Sequence, residues 1–168
     1  MTLRDAIREY LLDCEAKNLS PETLRWYAEK LRGFRRYADE HQITDIDQVN
    51  SRVVREFLAD LRTRPSNGKN PRLSGNTIAG FEQVIRSFFA FLTREELVDA
   101  NPTLRLGKIR RPKTEIPVFS EDEIERMFAV YSAKSSYVEH RNYCILLCLY
   151  DTAIRLSELV NLQVDHVD

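Results

Sequence analysis

The sequence predicts a nearly all-helical protein, and three observations predict it. Glycine (5) and proline (6) are scarce among 168 residues. Apolar residues recur at helical spacing over long stretches. Ser, Thr or Asn stands where most of these stretches begin, as helix caps do. Hydrophobic residues make up 43% and charged residues 30%, the ordinary balance of a globular protein with a core to bury.

The first helix is predicted to start at Thr2, with Asp5 placed for a capping box. Leu3, Ala6, Ile7, Tyr10, Leu11 and Cys14 form its apolar stripe. The second starts at Ser20, with Pro21 at the first helical position, where a missing N–H costs nothing. Leu24, Tyr27, Leu31, Phe34 and Ala38 line its inner side. Asn50 caps the third, with Val49 and Val54 spaced as a hydrophobic staple and Val54, Phe57, Leu58 and Leu61 inward. The fourth starts near Ser74 and carries Ile78, Phe81, Ile85, Phe88, Phe89 and Leu92. Four such helices with short connections make a bundle, expected over residues 1–102.

Thr103 to Pro117 holds two prolines, one glycine, five basic residues and one acid, and reads as a basic linker over 103–117. A second unit follows over 118–168. Ser120 caps its first helix, Glu123 reaches back, and Phe119 is spaced to staple onto Ile124. A further helix runs from about Tyr137 to Thr152. Its end, Ile145 to Tyr150, is apolar nearly all round, which predicts central burial. Ser157 to Val164 forms one more. About fifty residues are few for an independent core, so this unit reads as the opening of a larger domain.

Charge is unevenly spread beneath a net of -1. Residues 1–117 carry 21 Lys/Arg against 17 Asp/Glu, and residues 118–168 carry 4 against 9. Local fields guide association with nucleic acid more than totals do, although a modest surplus is also what a solvated surface carries. Cys14, Cys144 and Cys148 do not form a disulfide framework, and Cys144 and Cys148, four apart in an apolar helix, read as buried free thiols. His41, His140 and His166 are scattered, so no metal site is expected. No signal peptide opens the chain and no apolar run is long enough for a membrane span, which fits the cytoplasm.

Arg155 carries the sharpest chemical signal. It lies in Leu149-Tyr150-Asp151-Thr152-Ala153-Ile154-Arg155-Leu156-Ser157-Glu158-Leu159, where one helix ends and another begins. A guanidinium stays charged and offers a planar fork of donors that matches two phosphate oxygens. Glu158, three residues on, is spaced to hold that fork in one orientation. On spacing alone, an Arg–Glu surface pair is the commoner outcome.

The segment Ile145 to Val167 resembles the first arginine motif of the tyrosine-recombinase, or phage-integrase, family. That motif runs Thr-Gly-Leu-Arg, then Ser-Glu-Leu, then Leu and Asp. Here the matching residues are Thr152-Ala153-Ile154-Arg155, Ser157-Glu158-Leu159, Leu162 and Asp165. Ala153 departs from the usual glycine; if the position needs positive φ, alanine there costs about 1 kcal/mol. Ile116 to Ile124 resembles the entry to the catalytic domain of the same family. Ser20-Pro21-Glu22-Thr23-Leu24, Arg86-Ser87-Phe88-Phe89-Ala90-Phe91-Leu92 and Asn101-Pro102 resemble its core-binding domain. The order and spacing of these pieces across the chain make the resemblance specific.

The resemblance implies a four-helix SAM-like core-binding bundle, a linker, and an incomplete catalytic domain. It implies site-specific DNA recombination or integration, in which a tyrosine attacks the scissile phosphate and forms a 3′-phosphotyrosyl link, with no cofactor. Arg155 maps onto the first catalytic arginine and Glu158 onto the acid that accompanies it. None of the seven tyrosines lies in the context of the nucleophile. The chain is therefore expected to be a fragment that binds DNA without cleaving it. The implied partners are a double-stranded recombination site and further protomers, four on DNA for the whole protein.

Two clusters read as phosphate contacts. Arg62, Arg64, Lys69 and Arg72 fall in a stretch without acids, and Lys108, Arg110 and Arg111 crowd the linker beside Arg105 and Lys113. The resemblance brings the second and fourth helices to DNA. It makes Thr23 and Arg25, and Ser74, Asn76 and Thr77, candidate contacts, with helix capping as the competing role of Ser74. A non-catalytic DNA-binding regulator built on the same bundle is the alternative, and a helical interaction scaffold is a third reading.

Overall fold

The structure is a computed structural model, and it describes residues 1–64, 72–107, 109, 117–131, 136–163 and 165. The described residues form seven α-helices, one 3-10 turn and no strand, in two compact units, Met1–Lys113 and Thr114–Asp168. No helix among them is long and apolar enough to cross a membrane.

The first unit contains α1 (Leu3–Ala16), α2 (Pro21–Glu40), a 3-10 turn (Ile46–Gln48), α3 (Ser51–Asp60) and α4 (Gly75–Arg94). Each α-helix begins at the residue whose side chain satisfies its orphan amides. Thr2 Oγ1 accepts from Asp5 N at 3.1 Å, and Ser20 Oγ accepts from Thr23 N at 3.2 Å. Asn50 Oδ1 accepts from Arg52 N and Val53 N, and Ser74 Oγ accepts from Thr77 N at 3.1 Å. A cap of this kind stabilises a helix by about 1 kcal/mol.

The helix ends follow a rule that the composition hides. Asn18, Gln42 and Glu96 all have φ near +55°, just past the ends of α1, α2 and α4. The amide of the following residue reaches back each time: Leu19 N to Cys14 O, Ile43 N to Ala38 O and Leu97 N to Leu92 O. These are Schellman endings, in which an apolar residue after the turn also packs back on the helix. Leu19, Ile43 and Val98 lie against the core.

Buried stripes from all four helices meet in that core. Phe34, Phe57, Phe88 and Phe89 have no exposed surface. Phe34 meets Phe57 edge-on at 5.1 Å, and Phe88 meets Phe89 at the same distance. Tyr10 stacks on Tyr27 and donates its hydroxyl to Ser87 Oγ at 2.8 Å, so its polar atom is buried with a partner. A buried phenylalanine contributes about 1.5–3 kcal/mol by area alone. Helices α2 and α4 cross closely because Gly33 has no side chain. A Cβ there would lie 2.8 Å from Phe81 Cε1. The start of the chain is tied down as well, with Leu3 N on Thr44 O and Ile46 N on Met1 O.

After α4 the chain stays on the bundle. Thr103 is buried, and Leu106 and Ile109 pack against the core. These residues fall in the stretch whose composition reads as linker.

The second unit contains α5 (Glu121–Tyr131), α6 (Tyr137–Thr152) and α7 (Leu156–Val160). Ser120 caps α5 and Ser136 caps α6, each with a Glu three residues on that returns the bond: Ser120 N to Glu123 Oε2 at 2.8 Å and Ser136 N to Glu139 Oε2 at 3.0 Å. Phe128 packs edge-on against Tyr143 and Tyr150. The expected burial of α6 is not found. None of the described residues of α5, α6 or α7 is buried, and Ile145, Leu147 and Tyr150 are exposed. Cys144, expected inside, is exposed, and Cys148 is half-buried. The physical reason is that α5 and α7 cover only part of a helix whose end is apolar nearly all round. Phe119 also stays exposed at the start of α5.

Candidate functional site

Arg155 owes its position to the turn between α6 and α7. Thr152 Oγ1 donates to Cys148 O, which closes the last turn of α6. Ala153 then takes a left-handed conformation at φ 51° and ψ 25°, and its N–H donates to Leu149 O. The glycine of the family motif therefore stands where positive φ is required, and alanine is strained there by about 1 kcal/mol. Arg155 follows at φ -72° and ψ 148° as the residue preceding α7.

Glu158 grips Arg155 twice. Its Oε2 accepts the Arg155 backbone N–H at 3.0 Å, and its Oε1 accepts Nη1–H at 3.0 Å. One carboxylate thus fixes both the backbone and the guanidinium of the same residue. The Arg155 side chain remains 82% exposed, so the cationic fork is open to a ligand approaching from solvent. An exposed pair of this kind adds little to stability. Its consequence is orientation.

The first unit presents its polar candidates at the starts of α2 and α4. Trp26 of α2 lies against Gly80 of α4, 3.2 Å from where a Cβ would stand, so these portions of the two helices face each other. Thr23 is bonded to the cap Ser20, Oγ1 to Oγ at 3.0 Å, and Arg25 is exposed and paired with Glu22 at 3.2 Å. Ser74 caps α4 and also meets Thr77 Oγ1 at 2.9 Å, so its capping role is realised. Asn76 and Arg72 are exposed at the same end of α4. Lys69, Lys108, Arg110 and Arg111 lie outside the described residues.

A groove of about 580 Å³ lies between the middle of α2 and the first turns of α4, lined by Lys30, Gly33, Arg36, Arg64, Thr77 and Phe81 among others. Lys30 is the residue that periodicity misses. It stands between Tyr27 and Leu31 on the inner stripe of α2, and its stem is buried with Nζ 4.8 Å from the Phe81 ring centroid and 3.0 Å from Glu29. The signal was present as a cation on an apolar face. Arg64 is the opposite case. Its neighbours in sequence include no acid towards the loop, yet its guanidinium is bound to Asp60 and, at 2.7 Å, to Glu40 of α2. Its charge is largely answered within the bundle.

Among the described residues, the first unit is a bundle of four capped helices without strands, closed through a close α2–α4 crossing. Residues 7–96 match the model of the phage integrase N-terminal SAM-like domain, and the chain belongs to that family. It is 33% identical over 153 residues to the tyrosine recombinase XerC of Anoxybacillus flavithermus, covering 90% of this chain and 48% of that protein. It is 30% identical over 174 residues to XerC of Listeria innocua, covering 100% and 54%. Against the tyrosine recombinase XerD of Staphylococcus aureus it is 29% identical over 163 residues, covering 96% and 52%. The chain spans about half the length of the curated relatives it matches. The crystal structure of the N-terminal domain of a phage integrase/site-specific recombinase from Haloarcula marismortui superposes with a TM-score of 0.54 at 20% identity, over 67% of this chain and 97% of that one, a likeness of fold.

Proposed function

We propose that the chain binds double-stranded DNA as part of a site-specific tyrosine recombinase. The observation that carries this reading is the double grip of Glu158 on Arg155, which orients an open cationic fork at the family's first arginine position. In the proposed role Arg155 holds the two non-bridging oxygens of the scissile phosphate, and Glu158 keeps the guanidinium in register. A charge fixed before the reaction stabilises the phosphoryl transition state without reorganising.

In the same proposal, residues 1–102 form the DNA-binding bundle, 103–117 the basic linker and 118–168 the N-terminal part of a catalytic domain. Thr23, Arg25, Arg72, Ser74, Asn76 and Thr77 approach the duplex from the starts of α2 and α4. Lys69, Lys108, Arg110 and Arg111 contact phosphates. The whole protein works in the cytoplasm with further protomers, as a tetramer on DNA, and needs no cofactor.

Two measurements test this. Affinity for the cognate duplex should fall with salt, and reversing the charges of Lys108, Arg110 and Arg111 should flatten the slope by about one unit for each lost phosphate contact. An unchanged slope removes those residues from the interface. In the whole protein, Arg155→Ala should lower strand cleavage on the order of a hundredfold to a thousandfold while duplex binding changes little. Cleavage at the normal rate would remove Arg155 from the chemistry.

A further inference from the structure

Helix α4 carries a charged pair that serves the segment after it. Glu82 is buried, and Arg86 one turn on donates Nε–H to Glu82 Oε1 at 2.8 Å. The other ends of the Arg86 fork leave the helix. Nη1–H donates to Thr103 O at 2.8 Å and Nη2–H to Leu106 O at 2.7 Å. The second oxygen of Glu82 accepts the backbone N–H of Ile109 at 3.0 Å. With a longer bond from Nη2–H to Gly107 O at 3.5 Å, the pair holds a length of irregular chain at four main-chain points. Around it, Ser51 Oγ donates to Pro102 O at 2.8 Å, and Asn101 Oδ1 accepts from Thr103 N and Thr103 Oγ1.

Stability alone is a poor account of this arrangement. Replacing a buried ion pair with apolar groups of the same size is often neutral or stabilising. What a planar five-donor fork supplies is geometry. The held segment carries Arg105, is followed by Arg110, Arg111 and Lys113, and includes Lys108 in its sequence. Chain that is already ordered at its origin loses less entropy on binding. Two linked binding elements also reinforce each other most when their separation is fixed to match the ligand.

We infer that Glu82 and Arg86 are positioning residues for DNA, a clasp that fixes where the cationic stretch leaves the bundle, so that stretch and bundle engage one duplex together. The inference rests on the DNA-binding reading above. The clasp touches no phosphate; it acts through the backbone of residues 103–109.

The test uses the full chain and a duplex of about 30 base pairs of arbitrary sequence at low salt, where phosphate contacts dominate affinity. Glu82→Gln removes a negative charge, so electrostatics alone predicts tighter binding. The clasp predicts binding about fivefold weaker. Ile109→Pro deletes the N–H donor, leaves α4 and the net charge untouched, and should weaken binding by a similar factor. The double variant should be no weaker than either single one, because both open the same contact. Trp26 fluorescence reports whether the bundle is folded, and a variant that fails this check leaves the decision to the other. Unchanged or tighter binding by folded Glu82→Gln, or unchanged binding by Ile109→Pro, overturns the clasp. A purely structural role would lower the melting temperature and leave the affinity of folded protein unaltered. Failure of the unmodified chain to bind any duplex would instead defeat the DNA reading, and the clasp with it.

Discussion

The bundle and the unit after it are written in the same local code and end in opposite states of burial. Ser20 and Ser74 cap α2 and α4, and Ser120 and Ser136 cap α5 and α6, with amide-to-hydroxyl distances between 3.1 and 3.3 Å. In the bundle those helices enclose Phe34, Phe57, Phe88 and Phe89 completely. In the second unit no described helical residue is buried, although the end of α6, Ile145 to Tyr150, is apolar nearly all round. Capping and periodicity decide where a helix forms. Burial is decided by how many other faces are available to cover it.

The largest effect that would break this comparison is a cavity. Phe88→Ala should destabilise the bundle by about 3–5 kcal/mol in urea unfolding followed by Trp26 fluorescence, because a fully buried ring leaves a void. Tyr150→Ala, at 61% exposure, should change the same transition by less than about 0.5 kcal/mol. Equal losses would mean that the two units share one core.

Thiol chemistry sharpens the contrast. Cys14 is buried in the bundle, and burial pushes its thiol above the usual range, so little reactive thiolate is present near neutral pH. Cys144 is exposed on α6. A thiol reagent at mildly alkaline pH should modify Cys144 promptly and Cys14 only as fast as the bundle opens, read by peptide mass spectrometry. Labelling of Cys14 at the rate of Cys144 would contradict the buried core.

The smallest effects concern helix ends. Ala153→Gly and Gln42→Gly should each stabilise their own unit by about 0.5–1 kcal/mol, since both positions have positive φ. Thermal unfolding of each variant checks this. A loss of stability at either site would deny the left-handed turn.

These residues also mark how far the sequence could be read. Helix starts were legible because Thr2, Ser20, Asn50, Ser74 and Ser120 act on amides within three residues. Helix ends were less so: Asn18, Gln42 and Glu96 turn left-handed without glycine, and their endings depend on Leu19, Ile43 and Val98 packing back. The Arg155 Nη1–Glu158 Oε1 pair follows from i, i+3 spacing and was legible; the second bond, from the Arg155 backbone N–H, was not. The Arg86 clasp was not, because its partners are carbonyls of Thr103 and Leu106, and carbonyls have no sequence signature. The pairing of Arg64 with Glu40 was not legible, because the two lie 24 residues apart. The exposure of α6 could not be read from a pattern that describes only the helix itself.

The most direct test of the account is a map of backbone and indole NMR shifts as a DNA duplex is added to the chain. The account predicts the largest changes at Thr23, Arg25, Trp26, Asn76 and Thr77, in the first turns of α2 and α4. Changes confined to the outer face of α1, around Leu12 and Glu15, or no changes at low salt, would contradict it.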